Sequence, residues 1–97
     1  MYPGATTGTF TTTPAIIDTS HYGADISVSC VPASGNTDNV YFSITPQAAQ
    51  SPSTANWYLW SYGAVTTPQL GIIPGRVTAV KFIQTAGNAG ADTYEVF

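Results

Sequence analysis

The chain has 97 residues, enough for one domain, and charged residues make up only 7% of it, with a net charge of −3. Its two cations, Arg76 and Lys81, are too few to build a phosphate-binding surface, so we expect no nucleic-acid partner. Its single cysteine, Cys30, excludes an internal disulfide and a cysteine-rich zinc site. We find no apolar run of membrane-spanning length and no signal-peptide pattern, and therefore expect no membrane partner and assembly in the cytoplasm.

The first twenty residues are rich in Thr, Gly and Pro, a composition typical of an extended or flexible segment. We therefore predict an extended N-terminal arm over residues 1–20 and a β-sandwich domain over residues 21–97. The apolar anchors that we identify in the arm are Phe10, Ile16 and Ile17. We expect these three to anchor the arm at an interface with another protein.

Two segments with a period of two predict the first strands of the domain. Residues 25–31 alternate between apolar and polar side chains, which places Cys30 on the buried face as a small hydrophobic residue. Residues 40–45 alternate in the same way, and residues 32–39 between them are rich in turn formers. The pattern predicts an antiparallel hairpin.

An aromatic run over residues 56–62 has the composition of a strand. Strand alternation would place Tyr58, Trp60 and Tyr62 on one face and the other large residues of the run on the opposite face. A small core needs only one of these sets. We favour Tyr58, Trp60 and Tyr62 as a stripe at a protein interface, with a wholly buried run or a carbohydrate-binding platform as alternatives.

Two more strands are predicted over residues 76–84 and 92–97, on either side of the Gly-rich connection 85–91. No segment has a convincing helical period. The fold class we predict is all-β: a small antiparallel β-sandwich or barrel of about six to seven strands with an extended N-terminal arm.

Residues able to carry chemistry are scarce in this chain. His21 lies near Asp18 and Asp25, but no further ligand follows at a spacing that would complete a metal site, and Ser20 beside it lacks the setting of a catalytic nucleophile. The Gly-rich connection 85–91 lacks the Lys-Ser/Thr of a phosphate loop. We therefore predict a protein that is not an enzyme and has no catalytic residue, cofactor or metal.

The second half of the chain resembles the small β proteins of tailed-bacteriophage virions. The resemblance rests on a Pro-Gly turn that leads into a strand of the form Val-Thr-Ala-Val-basic-aromatic, followed by a Gly-containing hairpin and a terminal strand. The segments concerned are Trp57-Tyr58-Leu59-Trp60, Ile73 to Phe82, Thr85-Ala86-Gly87 and Tyr94-Glu95-Val96.

This resemblance implies a capsid decoration (cement) protein, or a minor head or tail protein, located in the virion after assembly in the host cytoplasm. Its implied partners are the major capsid protein or other virion proteins, with self-association into a homo-oligomer such as a trimer. The alternative function is a carbohydrate-binding or receptor-binding β module that uses exposed aromatic side chains.

Overall fold

The computed structural model describes residues 6–87 and 90–97 and confirms the all-β fold. Within these residues eight strands form two four-stranded antiparallel sheets that pack against each other. The strands are β1 (Thr6–Phe10), β2 (Ala15–Asp18), β3 (Ile26–Val31), β4 (Thr37–Ser43), β5 (Tyr58–Leu59), β6 (Gln69–Ile73), β7 (Ala79–Ala86) and β8 (Asp92–Val96).

The first sheet has the strand order β1-β8-β3-β6, and the second has the order β2-β7-β4-β5. Strand β6 therefore lies at one edge of the first sheet, and β5 lies at one edge of the second. These edges are neighbours in space, because Trp60, which follows β5 directly, lies against Gly71 in the middle of β6.

The expected hairpin of residues 25–31 with residues 40–45 is wrong. Strand β3 pairs with β6 and β8, whereas β4 pairs with β5 and β7. The two strands face each other across the sandwich, with the Cys30 Sγ 3.5 Å from Asp38 Oδ2. Alternation marks a strand with one buried face, but two strands that pair within a sheet and two that face across a sandwich show the same alternation.

The expected division of the chain at residue 20 does not match the strands. Strand β1 pairs with β8 in the first sheet, and β2 pairs with β7 in the second, so residues 6–18 belong to both layers of the sandwich. Residues 1–5 of the expected arm lie outside the described residues. The β-branched threonines that suggested an extended segment also favour strands, which explains this difference.

The core lies between the sheets and is built from the inward-facing side chains of the longer strands. Phe82 is fully buried at its centre, with the ring of Tyr94 stacked at 4.8 Å and that of Phe10 at 5.6 Å. Cys30 is fully buried in the same cluster, which confirms its predicted place in the core. Full burial of each large apolar side chain stabilises the fold by about 1.5–3 kcal/mol.

Candidate protein-contact surface

Two of the residues predicted for an interface are part of the core. Phe10 is 3% exposed and Trp60 is 2% exposed, so neither ring can reach a partner in the folded chain. Phe10 is buried because β1 pairs with β8 and directs the ring onto Phe82. The prediction that Phe10 and Trp60 contact another subunit is therefore wrong.

The two isoleucines of β2 point to opposite sides of the second sheet. Ile17 packs against the core cluster. Ile16 lies opposite Lys81 of β7, and strand alternation directs it to the outer face. Of this pair, Ile16 is the one placed to meet a neighbouring molecule.

The aromatic run does not form a continuous strand. Strand β5 contains only Tyr58 and Leu59, and the chain turns after Trp60, where the N–H of Gly63 donates to the carbonyl of Trp60 at 2.9 Å. Tyr58 and Tyr62 are 49% and 50% exposed, but the buried indole between them interrupts the expected stripe. The three rings therefore do not form the flat platform on which the carbohydrate alternative depended.

The most exposed large apolar side chains belong to β6. Leu70 is 63% exposed and Ile72 is 62% exposed, and both point away from the core. Sequence reasoning missed them because Gly71 lies between them, so the strand reads as a loose connection. The feature of the sequence that indicates this strand is the Leu-Gly-Ile alternation between Pro68 and Pro74.

In the described part of the chain, five of the seven exposed large apolar residues lie on β5, on β6 or on the segment that joins them, and we call this part of the sandwich the β5–β6 edge. Its members are Tyr58, Leu59, Tyr62, Leu70 and Ile72. Tyr62 joins the two strands, since its ring contacts Trp60 edge-on at 4.7 Å and lies over Gly71.

A row of side chains on the outer face of the second sheet leads to Leu59 of this edge. Ile16 lies opposite Lys81, Lys81 opposite Tyr41, and Tyr41 opposite Leu59 at the β5–β6 edge. The Lys81 Nζ lies over the rings of Tyr41 and Trp57, 5.0 and 4.6 Å from their centroids. The ammonium is therefore held against aromatic faces, and its stem covers apolar surface.

Two carboxyl groups are buried between the sheets. Asp38 and Asp92 are both fully buried. Burial, together with the hydrogen bond and charge of Asp92, raises the pKa of Asp38 to about 7. Burial would also raise the pKa of Asp92, but hydrogen bonds from Asp38, the Ala33 N–H, Asn36 and Gln84 outweigh it and lower that pKa. Between about pH 4 and pH 7 the pair therefore shares one proton.

The thiol of Cys30 belongs to the same buried group. Its pKa is raised, first by burial and then by the negative charge of Asp38. A thiol is nucleophilic as a thiolate, so this arrangement suppresses its reactivity. The group acts as an internal hydrogen-bond network.

The region around His21 is exposed and polar. An open hollow of about 520 Å³ nearby is lined by Asp18, Ser20, Gln47 and Gln50 among others. Hydrogen bonds from Ser20 lower the pKa of Asp18, so it is an acceptor at neutral pH. Across residues 6–87 and 90–97, no three His, Cys, Asp or Glu side chains converge in a way that could hold a metal ion.

No protein-family model, curated protein or solved structure matches this chain. In the part of the chain that the structure describes, no helix is long and apolar enough to cross a membrane.

Proposed function

We propose that this protein is a non-enzymatic structural protein of a tailed-bacteriophage virion, and specifically a capsid decoration protein that binds and stabilises the major capsid shell. The observation that carries the proposal is the β5–β6 edge, which holds five of the seven exposed large apolar side chains among the described residues. They lie within residues 39–75, a stretch without a single charged residue. The virion assignment itself comes from the resemblance in the second half of the chain.

The chemistry of this edge suits contact with protein. The centres of protein interfaces are depleted in charge and enriched in aromatic residues, as this edge is. Tyr58 and Tyr62 are half exposed, and covering such a residue recovers about 1 kcal/mol of hydrophobic free energy. Five such residues together offset a substantial part of the free-energy cost of association.

The outer face of the second sheet offers a second area for contact with the shell. Ile16, Tyr41 and Trp57 surround Lys81, whose ammonium is the one positive charge in this row. A partner that covers this face would bury the rings and meet a single, already positioned cation. A decoration protein needs two such areas if it contacts both the shell and its own copies.

The proposal is tested on particles purified by density gradient from cells that produce this chain. We expect the chain to band with the major capsid protein in a fixed ratio, and particles made without it to release their DNA at a lower temperature. Adding the purified chain back should restore the release temperature. A chain that stays at the top of the gradient, or particles that are equally stable without it, would overturn the proposal.

Two variants test whether the outer row of the second sheet contacts the particle. Tyr41→Ser and Trp57→Ser truncate the outer row of the second sheet, and we expect each to weaken binding to particles at least tenfold. Thr93→Ser is the matched control, because Thr93 is exposed on the outer face of the other sheet. Binding that is lost equally in the control would count against contact through this row.

A further inference from the structure

The backbone of β6 has a free side whose hydrogen-bonding groups can be assigned. In β3, Ser27 exchanges both of its backbone hydrogen bonds with Phe97, at 2.7 and 2.9 Å, so its polar groups face β8. The backbone N–H and C=O groups of successive residues point to opposite sides of a strand. Those of Val28 therefore point toward β6, where Val28 pairs with Gly71. The N–H and C=O groups of Leu70 and Ile72 then face away from the sheet, and in the described part of the chain nothing else pairs with them.

These free groups are symmetric about Gly71. An antiparallel strand centred on the same glycine places residue 70 of one copy opposite residue 72 of the other, and each such pair exchanges two hydrogen bonds. When β6 meets β6 of a second copy in this register, the free N–H and C=O groups of Leu70 and Ile72 in both copies are therefore all hydrogen-bonded. Pro68 and Pro74, which have no N–H, flank the strand and end the ladder on both sides.

The side chains suit the same arrangement. Leu70 of each copy would lie beside Ile72 of the other on the outer face, which forms two apolar cross-strand pairs. Gly71 would lie opposite its own counterpart in the ladder, and the rings of Trp60 and Tyr62 of its own chain occupy the space that a side chain there would need. No charged residue lies within residues 39–75, so two copies bring no like charges together there.

We propose that β6 pairs with β6 of a second copy of this chain, which forms a two-fold symmetric dimer with one continuous eight-stranded sheet. The interface is self-complementary, as two-fold symmetry requires. It covers an edge strand that is apolar, uncharged and otherwise open to association with other chains. This inference rests on the proposed function in one respect, that the β5–β6 edge is a protein-contact surface. It predicts a dimer, whereas the resemblance implied a homo-oligomer such as a trimer.

Sedimentation equilibrium and amide hydrogen exchange test the dimer on the full-length chain, from about 1 µM to about 1 mM. We expect a species of twice the 10.1 kDa chain mass to form with increasing concentration. The amides of Leu70 and Ile72 should become protected only as it forms, while those of Gly71 and Ile73, bonded to β3, stay protected throughout. A chain that is monomeric at the highest concentration, or a trimer, would overturn the proposal.

Charge pairs test the register. Leu70→Lys with Ile72→Lys places like charges opposite each other twice, and we expect dimerisation to weaken at least a hundredfold. Leu70→Glu with Ile72→Lys adds the same number of charges but places opposite charges in contact, and we expect the dissociation constant to stay within tenfold of the wild-type value. Equal behaviour of the two double variants would overturn this register.

The outcomes separate this inference from the proposed function. A monomer that still binds virions would refute the dimer and leave the decoration role intact. A dimer with the predicted amide protection that does not band with particles would support the β6 pairing and refute the decoration role.

Discussion

The buried pair of Asp38 and Asp92 makes stability depend on pH, and Asp38→Asn tests this directly. Both carboxyl groups are fully buried, and the pKa of Asp38 is raised to about 7 by burial and by its neighbour. An amide has nearly the same shape as a protonated carboxyl group. It can still accept the Cys30 S–H, but it has no proton to release.

The size and sign of the effect follow from proton linkage. An unfolded Asp releases its proton near pH 3.9, whereas folded Asp38 keeps it up to about pH 7. Between these values the folded chain holds one more proton, so its stability falls as pH rises, by about 1.4 kcal/mol per pH unit. The loss is about 2.4 kcal/mol from about pH 4.5 to 6.5 and levels off above about pH 7.

The pKa of Asp92 is lowered, so its contribution belongs to a different pH range. That contribution is present above the unfolded pKa of about 3.9 and is lost as the pH falls below it. It therefore leaves the slope between about pH 4.5 and 6.5 to Asp38.

Urea unfolding followed by tryptophan fluorescence measures the free energy of unfolding across this range. We expect wild-type stability to decline with pH and the Asp38→Asn variant to lack that decline. Glu95→Gln is the matched control, because it removes an exposed carboxylate outside the buried group and should keep the wild-type slope. Wild-type stability that is constant or rises over this range would refute the reasoning.

Three further predictions concern Trp60, the first strand and the Cys30 thiol. Trp60→Ala should lower the free energy of unfolding by about 3–5 kcal/mol. Trp60→Phe should lower it by much less, because the buried Nε1 has no hydrogen-bond partner among the described residues and none is lost. Equal losses of unfolding free energy for the two variants in urea titrations would contradict this. Deletion of residues 1–15 should leave the chain unfolded by circular dichroism, because it removes β1 and the Phe10 ring; a folded product would show that β1 is dispensable. The Cys30 thiol should react with a disulfide reagent only as fast as the chain opens; rapid labelling of the native protein would show that the thiol is accessible.

The strands that could be predicted from sequence are those with an uninterrupted period of two. Residues 26–31 and 92–96 alternate clearly and were placed with small errors at their ends. Strand β6 was missed because Gly71 interrupts its apolar pattern, and β1 because its threonines fit a strand and a flexible segment equally well. Local pattern thus identifies a strand when one face is buried, but it does not identify the strand's partner.

The exposure of side chains at the β5–β6 edge could be predicted only in part, because exposure also depends on strand pairing. Tyr58 and Tyr62 are exposed as expected, but Trp60 is buried because the chain turns immediately after β5. Leu70 and Ile72 are exposed because β6 is an edge strand of the first sheet. Edge position depends on pairing between segments distant in sequence, and alternation carries no information about such pairing.

The pairing of β1 with β8 has a consequence for how the chain folds during synthesis. Thr6 lies opposite Val96, so the first described strand has no partner until β8 has left the ribosome. Strand β2 likewise waits for β7. Contacts between distant segments slow folding to milliseconds or longer, and a partly synthesised chain exposes unpaired strands. We therefore expect this sandwich to fold as a single cooperative unit, and only once its last strand has been synthesised.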